Sequence, residues 1–280
     1  MAGIITAGVL LFSPEAPAQL DPDTPGADIV YALRKAGHLE RKISENEYAF
    51  FEILVGRDLY HPTDEELEEK TKQMIYDVNA KYALGTYFGL CQPYTYDQMR
   101  RDLDQENADR ARMKEKGEVF YGPVSFDSIG FFNFKFSNLE LEIINAMREE
   151  LGPDMRDKSR EFYHMNIKRY ESIEEVRYEY TIKGTTEEIV VTLAEMKSMS
   201  RFGDILGDFL MSGEYEVGDL WEDEYTDEFG PVRRSAKILS VNIDKPSFEE
   251  IEFTVTLEYI REVFYPELIV SAVSLSNLSF

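Results

Sequence analysis

A strict alternation of apolar and polar residues in EVRYEYTIKG, residues 175–184, constrains the fold of this chain more than any other feature. Val, Tyr, Tyr and Ile occupy every second position, and charged or hydroxyl residues lie between them. Successive side chains of a strand point to opposite faces, so this pattern predicts a half-buried strand. Gly184 and two threonines then predict a turn, and EEIVVTL, residues 187–193, is expected to return as the hairpin partner.

The residues after this hairpin predict one helix and two further strands. Residues 194–213 carry methionine, phenylalanine and leucine on one helical face, and Gly213 ends the helix. The segments KILSVNI (237–243) and IEFTVTLEYI (251–260) both alternate and are predicted to be strands. The order of strand, strand, helix, strand and strand predicts an α+β fold, in which a helix packs on one face of an antiparallel or mixed sheet.

The preceding part of the chain is predicted to be mainly helical. Thr63 and Glu66 have the spacing of a capping box, and an amphipathic helix follows them. Residues 45–60 fit a helix or a strand, and the aromatic, glycine-containing residues 119–136 favour strands and turns. Further helices are predicted over residues 29–37, 97–116, 138–152 and 155–171. We therefore expect three parts: an extended apolar and proline-rich arm (1–28), a mainly helical region with an aromatic strand segment (29–171) and an α+β sheet domain (172–280).

The N-terminal stretch GVLLFSPEAPA, residues 8–18, resembles the end of a signal peptide, but its flanks do not fit one. No Lys or Arg precedes Arg34, whereas a signal peptide begins with positive charge. The apolar run is also too short to span a bilayer. We expect an arm that docks on its own domain or on a neighbour. Its candidate interface residues are Ile4, Ile5, Leu10, Leu11 and Phe12.

The charge of the chain limits its partners. It has 54 acidic and 30 basic residues and a net charge of -24. Such a surface repels phosphate backbones and anionic lipid, which argues against a nucleic-acid-binding or membrane-docking protein. The single cysteine excludes an intrachain disulfide framework and favours a reducing compartment.

No sequence motif indicates a catalytic, cofactor or metal site. His38, His61 and His164 lack the spacing of metal ligands, and the phosphate-binding and nucleophile-elbow motifs do not occur. Cys91 is interpreted as a small buried hydrophobe, with a nucleophile as the alternative. We therefore predict no catalytic residue, no cofactor and no metal. The abundant carboxylates leave a carboxylate-dependent hydrolase as an alternative.

The run GDLWEDEYTDEFG, residues 218–230, is the densest acidic segment and contains the only tryptophan. A solvated loop is the simplest interpretation, and the spacing of a calcium loop is absent. The alternative is an interface in which aromatic residues anchor and carboxylates meet a basic partner, as in an acidic binding module for a basic protein. The interface residues would be Trp221, Tyr225, Phe229, Arg233 and Arg234.

Residues 176–270 resemble the core of tail-completion and neck proteins (tail terminator-like) of contractile-tailed bacteriophages. The resemblance rests on the strand RYEYTIKG, the helix MKSMSRFGDILGDFLM and the strands AKILSVNI and EEIEFTVTLEYIREVFYPEL. It implies a sheet that joins its neighbours in a ring, with an aromatic ending that includes Phe264 and Tyr265 as interface residues.

The resemblance implies a non-enzymatic structural subunit of a phage virion, assembled in the host cytoplasm. Its expected partners are copies of itself in a homo-oligomeric ring and other virion structural proteins of the tail or neck. DNA would at most pass by without tight binding, and no membrane would be involved.

Overall fold

The computed structural model describes residues 26–280 and shows a mixed fold, 58% helical and 19% strand. The helical N-terminal region and the antiparallel sheet that follows confirm the predicted α+β class. The described residues divide into two compact units. The helical unit contains residues 26–156 and 256–280, and the sheet unit contains residues 157–255. The last residues of the chain thus belong with the helical unit, whereas the sequence groups them with the sheet.

The helical unit combines long helices with one short parallel strand pair. Its elements are α1 (Ala27–Lys35), β1 (Glu40–Lys42), α2 (Glu45–Gly56), α3 (Asp64–Tyr87), α4 (Tyr96–Lys116), α5 (Ser128–Leu151), a π-helical turn (Ile260–Phe264), α10 (Tyr265–Ser274) and β6 (Asn277–Ser279). Strand β1 pairs with β6, so that Arg41 lies beside Leu278. This pairing attaches residues 277–279 to residues 40–42.

Side-chain caps define where four of these helices begin. In each case the N-cap oxygen accepts a hydrogen bond from the backbone N–H three residues later, which satisfies an otherwise unpaired donor. The N-caps are Ser44 for α2, Thr63 for α3, Thr95 for α4 and Asp127 for α5. The start of α3 thus lies at the predicted Thr63.

An aromatic cluster forms the centre of the helical unit. Phe51, Phe131 and Phe132 are almost completely buried. Phe50 packs edge-on against Phe51 and Phe132, with ring centroids 5.2 and 5.6 Å apart. Each fully buried side chain of this kind contributes roughly 1.5–3 kcal/mol. The cluster therefore holds α2 and α5 in fixed positions.

The sheet unit contains a four-stranded antiparallel sheet in the order β3-β2-β5-β4. Its elements are α6 (Arg156–Met165), a 3₁₀ turn (Ile167–Arg169), β2 (Ser172–Ile182), β3 (Thr185–Thr192), α7 (Leu193–Arg201), α8 (Ile205–Ser212), β4 (Leu220–Asp227), β5 (Gly230–Asp244) and α9 (Phe248–Tyr259), whose last residues continue into the helical unit. The predicted hairpin is confirmed, because β2 and β3 pair antiparallel across the turn at Gly184.

Helices α7 and α8 pack on one face of this sheet, as the sequence predicts. Met196 and Leu210 are fully buried against Val176, Tyr178 and Ile238 of the strands. The predicted single helix over residues 194–213 is, however, two helices. Their break contains a glycine at φ +78° and an aspartate that caps α8.

Two predicted strand regions are helical. Residues 128–136 belong to α5, because the buried residues Phe132, Leu139, Ile143 and Met147 recur at helical spacing and outweigh the aromatic strand signal. Residues 251–259 belong to α9. Their alternation is also compatible with a helix, since Val255 and Tyr259 are buried four residues apart, whereas Phe253 is exposed.

Two further expectations concern segments at the edges of these elements. The acidic run 218–230, interpreted as a loop, forms the edge strand β4 and its turn into β5. The apolar arm, including Ile4, Ile5, Leu10, Leu11 and Phe12, lies outside the described residues.

Candidate functional site

An open groove, lined by residues of three helices, runs along α2 of the helical unit. Its larger part has a volume of about 490 Å³ and lies between α2, α4 and the start of α5. Its lining residues are Asn46, Ala49, Phe50, Ile53, Tyr96, Arg100, Ser128 and Ile129. Its floor is apolar because Phe50 belongs to the aromatic core beneath it.

A second depression of about 260 Å³ lies next to the first. Both depressions share Ile129, and the second is lined further by Leu54, Arg57, Asp58, Met74 and Asn133. From Asn46 to Asp58 the groove follows α2 for roughly 18 Å, at 1.5 Å per helical residue. We call the two depressions together the α2 groove.

Ile53 is the main exposed apolar side chain of the α2 groove. It is 61% exposed, although it lies in the middle of a helix whose neighbours Phe50 and Leu54 are buried. A single exposed isoleucine is common, but one beside a concave apolar surface marks a place where a partner could remove apolar area from water.

Polar side chains lie along the groove. The Arg100 guanidinium donates a hydrogen bond from Nη1 to Ser128 Oγ at 3.0 Å, which links α4 to the first turn of α5. Asn46 and Asn133 make no side-chain hydrogen bond to any residue of the 26–280 range that the structure describes. Their carboxamides can both donate to and accept from a peptide backbone.

The interface residues predicted on the acidic run are partly brought together in the sheet unit. Arg234 is 16% exposed and donates hydrogen bonds to Asp223 at 3.0 Å and Asp204 at 3.2 Å. Its guanidinium carbon lies 5.2 Å from the Trp221 ring centre and 5.4 Å from that of Tyr225. This network joins β4, β5 and the start of α8, so its groups are engaged within the sheet unit.

The other predicted interface residues lie elsewhere. Arg233 points to the opposite face of the sheet and pairs with Glu224 at 2.7 Å, while Phe229 is 85% exposed in the turn between β4 and β5. Phe264 and Tyr265 are each only 4% exposed and lie in the core of the helical unit. Because their side chains are buried, these two residues do not form a surface for a partner.

The half-buried Cys91 has the environment of a packed thiol. Burial raises the pKa of its thiol, partly opposed by a hydrogen bond with Thr86, and its Sγ lies 3.8 Å from the carbonyl oxygen of Tyr82. A raised pKa leaves little reactive thiolate at neutral pH.

A metal site is not evident in the described part of the chain. Within residues 26–280, no group of three or more His, Cys, Asp and Glu side chains could hold a metal ion. In the same residues no helix is long and apolar enough to cross a membrane.

The sequence reasoning missed the α2 groove. The available signal was the segment ENEYAFFEILVG, which has apolar residues on more than one helical face. Such a helix buries one face in its own core and leaves part of another for a neighbour. The residues contributed by α4 and α5 could not be assigned from sequence, because only packing brings Tyr96, Arg100 and Ile129 beside α2.

No protein-family model and no curated protein matches the chain. Among solved structures, the chain is similar to one from a study of the virulence factor PEB4 and the periplasmic protein Cj1289, described as two structurally related SurA-like chaperones in the human pathogen Campylobacter jejuni. The identity is 10%, the TM-score is 0.31, and the match covers 78% of this chain and 88% of that chain.

The predicted function, a structural subunit of a phage tail or neck, is wrong, because the fold does not have the element order on which the phage resemblance rested. That resemblance required a strand over residues 251–260, where the structure has helix α9.

Proposed function

We propose that this protein binds a segment of another polypeptide in the α2 groove and acts by holding it, without making or breaking a covalent bond. The observation that carries the proposal is the groove itself: an open depression along α2 with an apolar floor, to which the exposed Ile53 belongs. Burial of this surface by a partner is favourable because it removes apolar area from water.

The shape of the groove favours a polypeptide over a compact small molecule. Two depressions joined at Ile129 form a path of roughly 18 Å, which corresponds to about five or six residues of extended chain at 3.3 Å per residue. The carboxamides of Asn46 and Asn133 are suited to a peptide backbone, which presents a donor and an acceptor at each residue. A partner could therefore place alternate side chains on the apolar floor.

Peptide binding to the full chain tests this proposal. The probe is a fluorescein-labelled peptide with a central run of Leu and Val, kept soluble by flanking Ser and Gly, and the readout is fluorescence anisotropy. Ile53→Gln removes the exposed apolar side chain while keeping a good helix former. Burial of the 61% of Ile53 that is exposed would contribute about 1–2 kcal/mol, so the variant should bind about fivefold to thirtyfold more weakly.

Leu141→Gln is the matched control, because Leu141 is 52% exposed on α5 of the same unit and does not line the groove. It should bind the peptide as the unsubstituted protein does. Circular dichroism establishes that both variants are folded. Equal binding by the Ile53 variant, or an equal loss in both variants, contradicts the proposed role of the groove.

A further inference from the structure

The charged residues that line the α2 groove are mainly positive, whereas the protein as a whole is negative. The chain carries a net charge of -24, yet two of the three charged residues that line the groove are arginines, Arg57 and Arg100. Asp58 is the third. The groove therefore offers positive charge at an apolar surface within an acidic protein.

The Arg100 guanidinium is held by a hydrogen bond and has further N–H donors that bond no other described residue. Its Nη1 donates to Ser128 Oγ at 3.0 Å, which orients the guanidinium beside the first turn of α5. Within residues 26–280 it makes no ion pair with a carboxylate. A guanidinium has five N–H donors in a planar fork that matches a carboxylate, so most of them are available to a ligand.

The carboxylates closest to Arg100 in the chain form no ion pair with it. Asp97 and Asp104 lie three and four residues away on α4 and do not line the groove. Asp127, next to Ser128 in the chain, accepts a hydrogen bond from the backbone N–H of Gly130 at 2.6 Å. Asp58 lies beside Arg57 in the second depression and offsets its charge there. The positive end of the groove is therefore the end at Arg100.

We propose that the segment held in the α2 groove is apolar and carries a carboxylate side chain, which binds Arg100. This inference rests on the proposed function and specifies the chemistry of its partner. The apolar residues lie on the floor formed by Phe50, Ile53 and Ile129, and the carboxylate lies at one end of them. The charge-assisted hydrogen bonds between guanidinium and carboxylate fix the direction in which the segment lies.

A polyphosphate ligand fits this surface less well than a segment with a single carboxylate. Nucleic acid would bring many negative charges close to a protein of net charge -24, where repulsion opposes binding. A single carboxylate needs only one local cation. A fatty acid has the same combination of apolar chain and carboxylate, and the experiment separates it from a peptide.

The test compares three labelled peptides that share the same apolar centre and are flanked by Asp, Asn or Lys. With the full chain, the Asp peptide should bind about fivefold more tightly than the Asn peptide, and the Lys peptide should bind most weakly. The overall negative charge of the protein would produce the opposite order, because it favours binding of the Lys peptide. The difference should shrink at high salt, because salt screens exposed charges.

Arg100→Gln should make the Asp and Asn peptides bind alike, and Arg100→Glu should favour the Lys peptide. Arg101→Gln is the matched control, because Arg101 is exposed on the same helix, bonds Gln98 and does not line the groove. It should leave the order unchanged. If Arg101→Gln has the same effect as Arg100→Gln, the preference is a general charge effect and the inference is wrong.

The outcomes separate this inference from the proposed function. If all three peptides bind equally and all are weakened by Ile53→Gln, the groove binds polypeptide but the carboxylate preference is wrong. If no peptide binds, both proposals fail. If oleate binds while the peptides do not, the partner is a fatty acid and both proposals are wrong.

Discussion

The buried ion pair between Arg41 and Glu47 gives a sharp test of how the helical unit is stabilised. Arg41, on β1, donates two hydrogen bonds to the Glu47 carboxylate of α2, at 2.6 and 2.9 Å. Its Nε also donates to Asn79 Oδ1 of α3 at 2.8 Å. Because β1 pairs with β6, this one side chain connects two helices to the strand pair that holds the end of the chain.

The two partners are not equally buried, so the single substitutions should differ. The Glu47 side chain is 3% exposed and that of Arg41 is 18% exposed. Loss of one partner of a buried pair costs about 3–5 kcal/mol, because the other charge stays buried. We expect Arg41→Met to lower the free energy of unfolding by about 5 kcal/mol, since it leaves the more buried charge, and Glu47→Leu to lower it by about 3 kcal/mol.

The double variant should cost less than Arg41→Met alone. With both charges replaced by apolar groups, the main remaining defect is the Asn79 carboxamide, which is 4% exposed and whose Oδ1 loses the hydrogen bond from Arg41. That defect costs about 1–3 kcal/mol. Urea unfolding followed by far-ultraviolet circular dichroism measures these free energies through the helices. Trp221 lies in the sheet unit, so its fluorescence does not report on this pair.

An exposed ion pair in the same unit provides the control. Arg112 pairs with Asp109 on α4, and both side chains are largely exposed. Arg112→Met should cost less than ~1 kcal/mol, because solvent screens this pair. If the Arg41 and Glu47 substitutions are additive, or no larger than this control, the pair does not hold the unit together through buried charge.

Two further predictions concern a partly buried carboxylate and a close helix contact. Burial raises the pKa of Asp77, with smaller opposing effects from Gln73 and Lys81, so its ionised form costs stability at neutral pH. Asp77→Asn should raise the free energy of unfolding at pH 7. This gain in stability should disappear as the pH falls through the raised pKa to about 4, where the carboxyl of the unfolded chain also becomes protonated. A gain that is unchanged at low pH contradicts this cause. A Cβ on Gly207 would lie 2.5 Å from the backbone nitrogen of Ser200 and 2.6 Å from Met199 Cβ, so Gly207→Ala should destabilise the sheet unit by about 1–3 kcal/mol. Trp221 fluorescence during urea unfolding measures this loss, and Gly184→Ala, which meets no atom within 4 Å but has φ +79°, separates steric overlap from backbone strain.

Local sequence signals predicted the hairpin of β2 and β3 and the start of α3 correctly. In both cases the deciding forces act between residues close in the chain. The alternation of residues 176–182 matches the two faces of the sheet, and the Thr63 hydroxyl accepts from the N–H of Glu66 within the same turn. Such patterns leave few alternatives, because a shift of one residue would bury charged side chains.

The wrong predictions fall where one apolar pattern fits two structures. The segment IEFTVTLEYI alternates over most of its length but also places the buried residues Val255 and Tyr259 four residues apart, at helical spacing. The segment from residue 128 to 136 has strand-like aromatic composition, yet Phe131 and Phe132 are buried as part of a long helix. The neighbours available to each segment decided between the two, and a single sequence does not contain them.

The α2 groove was missed for a related reason. Its apolar residues on α2 could be read from the sequence, but Tyr96 and Arg100 come from α4, and Ser128 and Ile129 come from α5. A binding surface of this kind depends on the angle and distance between helices, which side-chain packing sets. In the acidic run, by contrast, the sequence predicted a binding surface from the aromatic residues and Arg234. In the structure Trp221 and Arg234 pack against each other.

The sequence by itself determined the α+β class, the central hairpin, several helix ends and the strongly acidic charge. These properties follow from periodicity, capping and composition, which are local or additive along the chain. Only the tertiary structure decided that residues 256–280 return to the helical unit and that Phe264 and Tyr265 are buried. It also formed the groove. The hydrophobic effect is non-directional, so the segments that pack together are those that bury apolar area best, whatever their separation in the chain.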